Sequence, residues 1–225
     1  MKVLVVAAHP DDETLGSGGY AAKLIRQGHE VNWLILGEGT TSRVTDRTQV
    51  GRAELRSQSD DCLRAASIIG VRSVTQLEFP DNRFDSVDLL DVTKSIEAQI
   101  AKREPAVVIT HHRGDLNIDH RVTHQAVLTA TRPVPGSTIH TVLAFEVQSA
   151  TEWGFNAQNN FVPSVFVDIS DTIDLKMAAL GEYRSEMREF PHPRSETAVR
   201  ALATLRGSTV GVSAAEAFEL VRAVR

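Results

Sequence analysis

A histidine and three acidic residues stand together close to the amino terminus. The segment His9–Glu13 (HPDDE) follows an apolar, β-branched run, Lys2–Ala8, which is typical of a strand buried on both faces. The segment is therefore expected at the carboxyl end of that strand, where open α/β sheets place their ligands. Imidazole and carboxylate groups suit Zn²⁺, and a catalytic zinc site uses three protein ligands and leaves one position for water.

A second cluster of histidines and aspartates follows the fourth predicted strand, Ala106–Thr110. The pair His111-His112 leads into the segment Arg113–His120 (RGDLNIDH). In the usual doubly wound order 3-2-1-4, the first and fourth strands are neighbours and flank the topological switch point. The two clusters are therefore predicted to meet at one edge of the sheet and to form a metal site together.

Structural roles for some of these residues compete with the functional ones. Acidic residues before a helix are common caps and dipole partners, which would explain Glu13 and one aspartate but not the whole set. Asp119 would serve equally well as a helix cap, and His124 is expected to be a packed helix residue. Side chains alternate along a strand, so one of His111 and His112 should face the sheet and be structural.

A dinucleotide-binding fingerprint, G-x-G-x-x-A, is matched by Gly16, Gly18 and Ala21. In that fingerprint the first glycine forms the turn that leaves the strand, so that a pyrophosphate rests on the helix N-terminus. Here the acidic segment His9–Glu13 intervenes and would repel a pyrophosphate. We interpret the glycines instead as positions where the helix packs closely on the sheet.

The rest of the chain alternates between strand and helix patterns. The predicted strands are residues 2–8, 31–36, 74–79, 106–110, 138–145 and 164–167. The predicted helices are residues 15–27, 51–69, 87–103, 119–131, 173–185, 197–205 and 214–224. This order predicts a single α/β domain over residues 1–225, a Rossmann-like three-layer sandwich with a mostly parallel sheet and right-handed crossovers.

Composition restricts the class of protein. Hydrophobic residues make up 42% and charged residues 24% of the 225 residues, as in ordinary globular domains. The formal net charge of −5 argues against nucleic-acid binding, and the lone Cys62 excludes an intrachain disulfide or a cysteine zinc cage. No basic-then-apolar leader or membrane-length apolar run is seen, so we expect a cytoplasmic protein without stable membrane insertion.

The motif Ala8–Glu13 (AHPDDE), joined to Asp119-His120 after the fourth strand, resembles the PIG-L (LmbE-like) deacetylase family. The resemblance extends over most of the chain and includes a helix that ends in Ile69-Gly70-Val71. It implies a deacetylase-like domain and a zinc-dependent hydrolase that removes the N-acetyl group from a glucosamine-containing substrate.

The resemblance also implies roles for individual residues. His9, Asp12 and His120 match the zinc ligands, and Asp11 matches the aspartate that acts as general base. Asp119 is expected to orient a neighbouring side chain, as carboxylates next to metal ligands commonly do.

One departure from the family concerns the general acid. Where the family commonly has His-x-Asp-His, this chain has Asn117–His120 (NIDH). Asn117 can donate a hydrogen bond to an oxyanion but cannot shuttle a proton. Either Asp11 carries out both proton transfers, or another group such as His112 or His192 serves as the acid.

Candidate substrate contacts lie in other predicted loops. Asp81 and Arg83 follow the third strand and would suit sugar hydroxyls, although a Pro-Asp-Asn turn is an equally ordinary reading. His112 and His192 are further candidates, and the polar loop Gly37–Val50 is a candidate lid. His192 belongs to a polar corner, Pro191–Arg194, which is a candidate segment for returning over the pocket. The expected partner is a small N-acetyl sugar, with self-association into a homo-oligomer as a further expectation.

Two alternatives to a sugar deacetylase stay open. The first is a zinc amidase that acts on a non-sugar N-acyl compound, since the preference for a sugar rests on the resemblance alone. The second is a catalytically silent α/β ligand-binding protein. This alternative stays open because Asn117 stands where the family commonly has a histidine. Histidine and carboxylate sites also accept Fe²⁺, Co²⁺ or Mn²⁺ in place of zinc.

Overall fold

A computed structural model describes residues 1–39, 52–155 and 157–224, which form one seven-stranded sheet and six α-helices. The strands are β1 (Lys2–Ala7), β2 (Glu30–Gly37), β3 (Ser73–Phe79), β4 (Val107–His111), β5 (Thr141–Phe145), β6 (Val165–Asp168) and β7 (Ala215–Ala223). The helices are α1 (Asp12–Arg26), α2 (Arg52–Ile69), α3 (Leu89–Arg103), α4 (Ile118–Ala130), α5 (Ile173–Leu180) and α6 (Glu196–Val210).

The sheet has the strand order β3-β2-β1-β4-β5-β7-β6. The first five strands pair in parallel, whereas β7 lies antiparallel between β5 and β6. The predicted neighbours β1 and β4 are paired, with Val5 opposite Ile109. The chain order of the strands reverses between β1 and β4, so a crevice is expected beyond their carboxyl ends.

Strand β1 shows how the sheet separates two helical layers. Its side chains alternate, and Val3 and Val5 pack with residues of α1, α2 and α5. Leu4 and Val6 point the other way and pack with residues of α3 and α4. Both faces of the strand are fully buried, as its β-branched composition predicts. The predicted three-layer α/β sandwich with a mostly parallel sheet is confirmed.

The fingerprint glycines serve close packing at one position. A Cβ atom on Gly16 would lie 2.3 Å from Cδ2 of Phe145 in β5, so only glycine lets α1 approach the sheet there. At Gly18 the nearest atom is Cγ2 of Thr14 in the same helix, 3.1 Å away. The interpretation as a packing glycine therefore holds for Gly16.

The predicted carboxy-terminal helix is wrong. Residues 214–224 were expected to be helical because the run AAEAFELVRAV is rich in helix formers, yet they form β7. The strand pairs with β5 on one side and β6 on the other, and tertiary pairing overrides local propensity.

Smaller corrections concern helix ends: α1 begins at Asp12, α5 stops at Leu180 and α6 continues to Val210. None of the helices in the described part of the chain is both long and apolar enough to cross a bilayer.

Candidate metal centre and active site

The two predicted clusters meet at the carboxyl ends of β1 and β4. His9 lies between β1 and α1, Asp12 is the first residue of α1, and His120 lies in the first turn of α4. All three are buried, and one ligand atom from each lies within 4.8 Å of the others. The pairing of β1 with β4 therefore brings together groups that lie more than 100 residues apart in the chain.

The two histidine side chains converge on the carboxylate of Asp12. Asp12 Oδ2 lies 3.4 Å from Nδ1 of His9 and 3.2 Å from Nε2 of His120. Its other oxygen, Oδ1, is buried and has no hydrogen-bond partner among the described residues. A buried carboxylate oxygen without a partner is costly, and a bound cation would satisfy it.

The local charges also favour a cation. Burial lowers the pKa of His120, but Asp12 and Asp115 outweigh it and raise the value to about 9. These carboxylates stabilise positive charge at this position, whether it is carried by a proton or by a metal ion. Two imidazoles with one carboxylate is also a donor set that catalytic zinc sites use. The residues present therefore fit a zinc ion.

Two further carboxylates lie beside the outer nitrogens of the candidate ligands, one of them at hydrogen-bond geometry. Asp119 Oδ2 lies 2.8 Å from Nε2 of His9, and Asp115 Oδ2 lies 3.1 Å from Nδ1 of His120. In each imidazole the opposite nitrogen is left to face Asp12. Asp119 also accepts hydrogen bonds from the backbone N–H groups of Asn82 and Phe84, so it ties the loop after β3 to the site.

His111 packs directly against a candidate ligand. Its ring stacks on His120 with a centroid separation of 3.9 Å, and its Nε2 accepts a hydrogen bond from the backbone N–H of Ala8. An accepting Nε2 carries no proton, so the ring is neutral with its proton on Nδ1. Burial lowers the pKa of His111 well below its ordinary value, in agreement with a neutral ring.

Asp11 stands beside the candidate ligands but faces another way. It precedes α1 with φ of 111°, and its side chain makes no capping hydrogen bond to the helix. Instead its Oδ2 accepts a hydrogen bond of 2.6 Å from Nη1 of Arg194. Burial raises the pKa of Asp11 well above its ordinary value, and the guanidinium of Arg194 opposes that rise.

A cavity of about 210 Å³ opens beside the candidate ligands His9 and His120. Its lining is almost entirely polar and consists of His9, Pro10, Asp11, Gly39, Gln58, Asp81, Asn82, Asn117, His120, Glu186 and Arg194. Asn117 caps α4, with its Oδ1 accepting from the backbone N–H of Asp119 at 2.8 Å. Its amide Nδ2 is then left to donate to a group inside the cavity.

Of the predicted substrate contacts, some line the cavity and others do not. Asp81 lines the cavity, with its Oδ1 3.3 Å from Nε2 of His9, whereas Arg83 does not line it and precedes a 3₁₀ turn at Phe84–Ser86. His112 also lies outside the lining, because its ring nitrogens lie 2.9 Å from Glu219 Oε2 and 2.8 Å from the carbonyl oxygen of Asn159.

His192 does not line the cavity. Its Nδ1 accepts from the backbone N–H of Arg194, and its ring packs 5.9 Å from that of Trp153. The polar corner Pro191–Arg194 does reach the cavity, but through Arg194. The candidate lid Gly37–Val50 lies mostly outside the described residues.

Three residues near the site were given no role from the sequence, and Arg194 was included only as part of the polar corner Pro191–Arg194. Asp115 lies inside the RGDLNIDH segment, so it and Arg194 had a local signal. Gln58 and Glu186 come from α2 and from the segment after α5, and nothing in their sequence context marks them.

The sequence profile of the PIG-L family, described as GlcNAc-PI de-N-acetylase, matches residues 4–131. This match covers more than half of the chain and contains all three candidate metal ligands. The chain belongs to the PIG-L family.

Two of the similar proteins carry the names of deacetylases of N-acetylated sugars or their conjugates. The chain is 28% identical to a diacetylchitobiose deacetylase of Thermococcus kodakarensis, over 98% of this chain and 83% of that protein. It is 27% identical to a probable N-acetyl-α-D-glucosaminyl L-malate deacetylase 2 of Bacillus cereus, over 82% of this chain and 83% of that protein.

The fold is also found among solved structures. The N,N′-diacetylchitobiose deacetylase of Pyrococcus horikoshii superposes with a TM-score of 0.77 and 21% identity, covering 98% of this chain and 84% of that one. At this level of identity the superposition shows a shared fold.

Proposed function

We propose that this PIG-L protein is a zinc-dependent hydrolase that removes the acetyl group from an N-acetylated amino sugar or its conjugate. The observation that carries the proposal is the convergence of His9, Asp12 and His120, together with a buried Oδ1 of Asp12 that has no hydrogen-bond partner among the described residues. The deacetylase relatives support the class of reaction.

His9 through Nδ1, Asp12 through its carboxylate and His120 through Nε2 would hold the zinc ion. When bound, zinc would polarise the acetamide carbonyl and make a neighbouring water more acidic. Asp119 hydrogen-bonds the outer nitrogen of His9 and Asp115 lies beside that of His120, so the two carboxylates would orient the rings around the ion.

Asp11 is proposed as the general base. Its carboxylate lines the cavity next to the ligands, and Arg194 binds Oδ2, which leaves Oδ1 to accept a proton from water. The water oxygen then bonds to the acetamide carbon. Asn117 Nδ2 donates a hydrogen bond to the acetamide oxygen as negative charge develops there.

The leaving amine must receive a proton when the C–N bond breaks. Asn117 cannot supply one, and His112 and His192 lie outside the cavity lining. We therefore infer that Asp11 returns to the amine the proton that it took from water. The products are acetate and an amino sugar.

The walls of the cavity support a polyhydroxylated substrate. Gln58, Asn82 and Asn117 offer amide groups, and Asp81 and Glu186 offer carboxylates. Such groups are suited to hydrogen bonding with hydroxyls, whereas the cavity offers little apolar surface to an acyl chain or an aromatic side chain.

The first experiment measures acetate release from a panel of N-acetylated sugars and N-acyl amino acids, using metal-stripped and zinc-restored protein side by side. We expect zinc-dependent release from at least one sugar. Release only from the amino acids would favour the amidase alternative. Tight ligand binding with stoichiometric zinc and no acetate release would favour a silent binding protein.

A further inference from the structure

The backbone of Asp11 adopts an unusual conformation. With φ of 111°, it lies in a region that side-chain-bearing residues rarely occupy, and it sits at the N-terminus of α1 without capping the helix through its carboxylate. Such a conformation persists only when the surrounding structure fixes it. The contacts that fix it lead to a residue outside the cavity.

We infer that Tyr183 is a positioning residue that holds the general base Asp11 in place through Glu13; this inference rests on the proposed function. Glu13 Oε2 accepts a hydrogen bond of 3.0 Å from the backbone N–H of Asp11. Glu13 Oε1 accepts hydrogen bonds from the hydroxyl of Tyr183 and from Oγ1 of Thr14, the latter at 2.7 Å. Glu13, Thr14 and Tyr183 are all fully buried.

Glu13 makes one half of the hydrogen-bond exchange that is common at helix starts, and the side chain of Asp11 does not make the other half. At an ordinary helix start, the first residue's side chain accepts a backbone N–H from the first turn, and an acidic residue further on reaches back to its N–H. Here only the second half of that exchange is present. The carboxylate of Asp11 is released from capping and is available to Arg194 and to the cavity.

The two donors to Glu13 Oε1 define how firmly this arrangement is held. Tyr183 follows α5, and its ring packs in the core between the sheet and the helices α1, α2 and α5. When the hydroxyl of Tyr183 is removed, Oε1 of Glu13 keeps only the hydroxyl of Thr14 as a side-chain donor. Glu13 can then turn away from the backbone N–H of Asp11, and Asp11 can relax towards an ordinary capping conformation that withdraws its carboxylate.

The decisive variant is Tyr183→Phe, which keeps the buried ring and removes the hydroxyl. We expect kcat for acetate release to fall roughly 10- to 100-fold, the range for small misplacement of a catalytic group. KM and bound zinc per chain should stay at wild-type values, because Tyr183 is neither a lining residue nor a candidate ligand. Its hydrogen bond to the lining residue Glu186 is made by the backbone carbonyl of Tyr183, which the substitution keeps. The matched control is Tyr20→Phe, since Tyr20 is the other of the two tyrosines and packs against Phe218.

A second pair of variants tests the same hydrogen-bond chain from its other donor. Thr14→Val removes the second hydroxyl bonded to Glu13, whereas Thr14→Ser keeps it. We expect a lower kcat in Thr14→Val and recovery in Thr14→Ser, at unchanged KM. This pair decides the question if Tyr183→Phe does not fold.

Three results would overturn the inference. They are an unchanged kcat in Tyr183→Phe, a loss of zinc or a raised KM in that variant, and an equal fold-loss when Tyr183→Phe is added to Asp11→Asn. The last result would mean that Tyr183 does not act through Asp11. A wild-type protein that releases no acetate from any substrate would instead contradict the proposed function, and would be recognised before variants are compared.

Discussion

The helices α1 and α4 begin at the same edge of the sheet, yet their first turns are built differently. At α4, Asn117 has extended backbone angles and caps the helix through its side chain. At α1, Asp11 has φ of 111° and makes no side-chain cap. Both residues line the same cavity, one next to each of the two clusters of candidate metal ligands.

The start of α4 contributes to the stability of its helix, whereas the start of α1 places a carboxylate for the reaction at a cost in stability. A side-chain cap contributes about 1 kcal/mol to stability, and a non-glycine residue at positive φ costs about 1–3 kcal/mol. The start of α1 lacks the stabilising cap and carries the cost of the positive φ. In exchange, the carboxylate of Asp11 can act in the cavity. The start of α4 keeps its cap, because an amide can accept at one atom and donate at the other.

The largest effect is expected from Asp11→Asn. The amide cannot accept a proton from water, so turnover should fall by about 10³-fold, within the usual range for a lost general base. Asparagine tolerates positive φ well, and it removes a buried carboxylate from an acidic cluster, so the melting temperature should not fall. Acetate release, zinc content and thermal unfolding of the same sample test all three statements.

Full turnover in Asp11→Asn would show that the uncapped carboxylate at the start of α1 has no role in the reaction, and the functional contrast between the two helix starts would be lost. Loss of zinc would contradict it differently, by showing that Asp11 belongs with the ligands. The expectation that zinc is retained rests on the geometry, since Asp11 is absent from the metal-binding groups found among the described residues.

The next effect concerns the α4 side of the metal cluster. Asp115 Oδ1 accepts from the backbone N–H of Asn117, and Oδ2 lies near His120. Asp115→Asn should therefore weaken zinc binding by roughly 10- to 100-fold, as measured by competition with a chelator. The exposed Asp85→Asn on the neighbouring loop is the control. Equal zinc affinity in both variants would show that Asp115 serves the loop alone.

The sequence predicted the two clusters of candidate ligands better than the residues that support Asp11 from the carboxy-terminal part of the chain. The ligand types were recognisable in HPDDE and NIDH, and alternating strands and helices predicted that β1 and β4 would be neighbours. Both signals are local or follow from a general rule of sheet topology. They were sufficient to predict that the two clusters would meet.

The carboxy-terminal part of the molecule carries a weaker signal, limited to the polar corner Pro191–Arg194. Arg194 reaches Asp11 across 183 positions of sequence, and Tyr183 reaches Glu13 across 170. Neither lies in a periodic element, so its position depends on the path of the chain after α5. The missed strand β7 has the same cause, because its two pairing partners are distant in sequence and outweigh its helical propensity.

The smallest effect is expected at Asn117, where two variants separate the cap from the donor. Asn117→Ser keeps a good capping oxygen but is too short to reach into the cavity, so kcat should fall about 10-fold while stability is retained. That loss lies below the range for a single oxyanion donor, because zinc would share the stabilisation of the same oxygen. Asn117→Ala should lose the same turnover and also about 1 kcal/mol of stability.

The two variants must be compared by kcat and by denaturant unfolding of the zinc-loaded protein. Equal stabilities would mean that the hydrogen bond from Asp119 N–H to Asn117 contributes nothing as a cap, and the contrast with α1 would then rest on backbone conformation alone. Wild-type turnover in both variants would remove Asn117 from the reaction. The polarisation of the acetamide oxygen would then fall to the metal alone, and the asparagine would be a cap that happens to border the cavity.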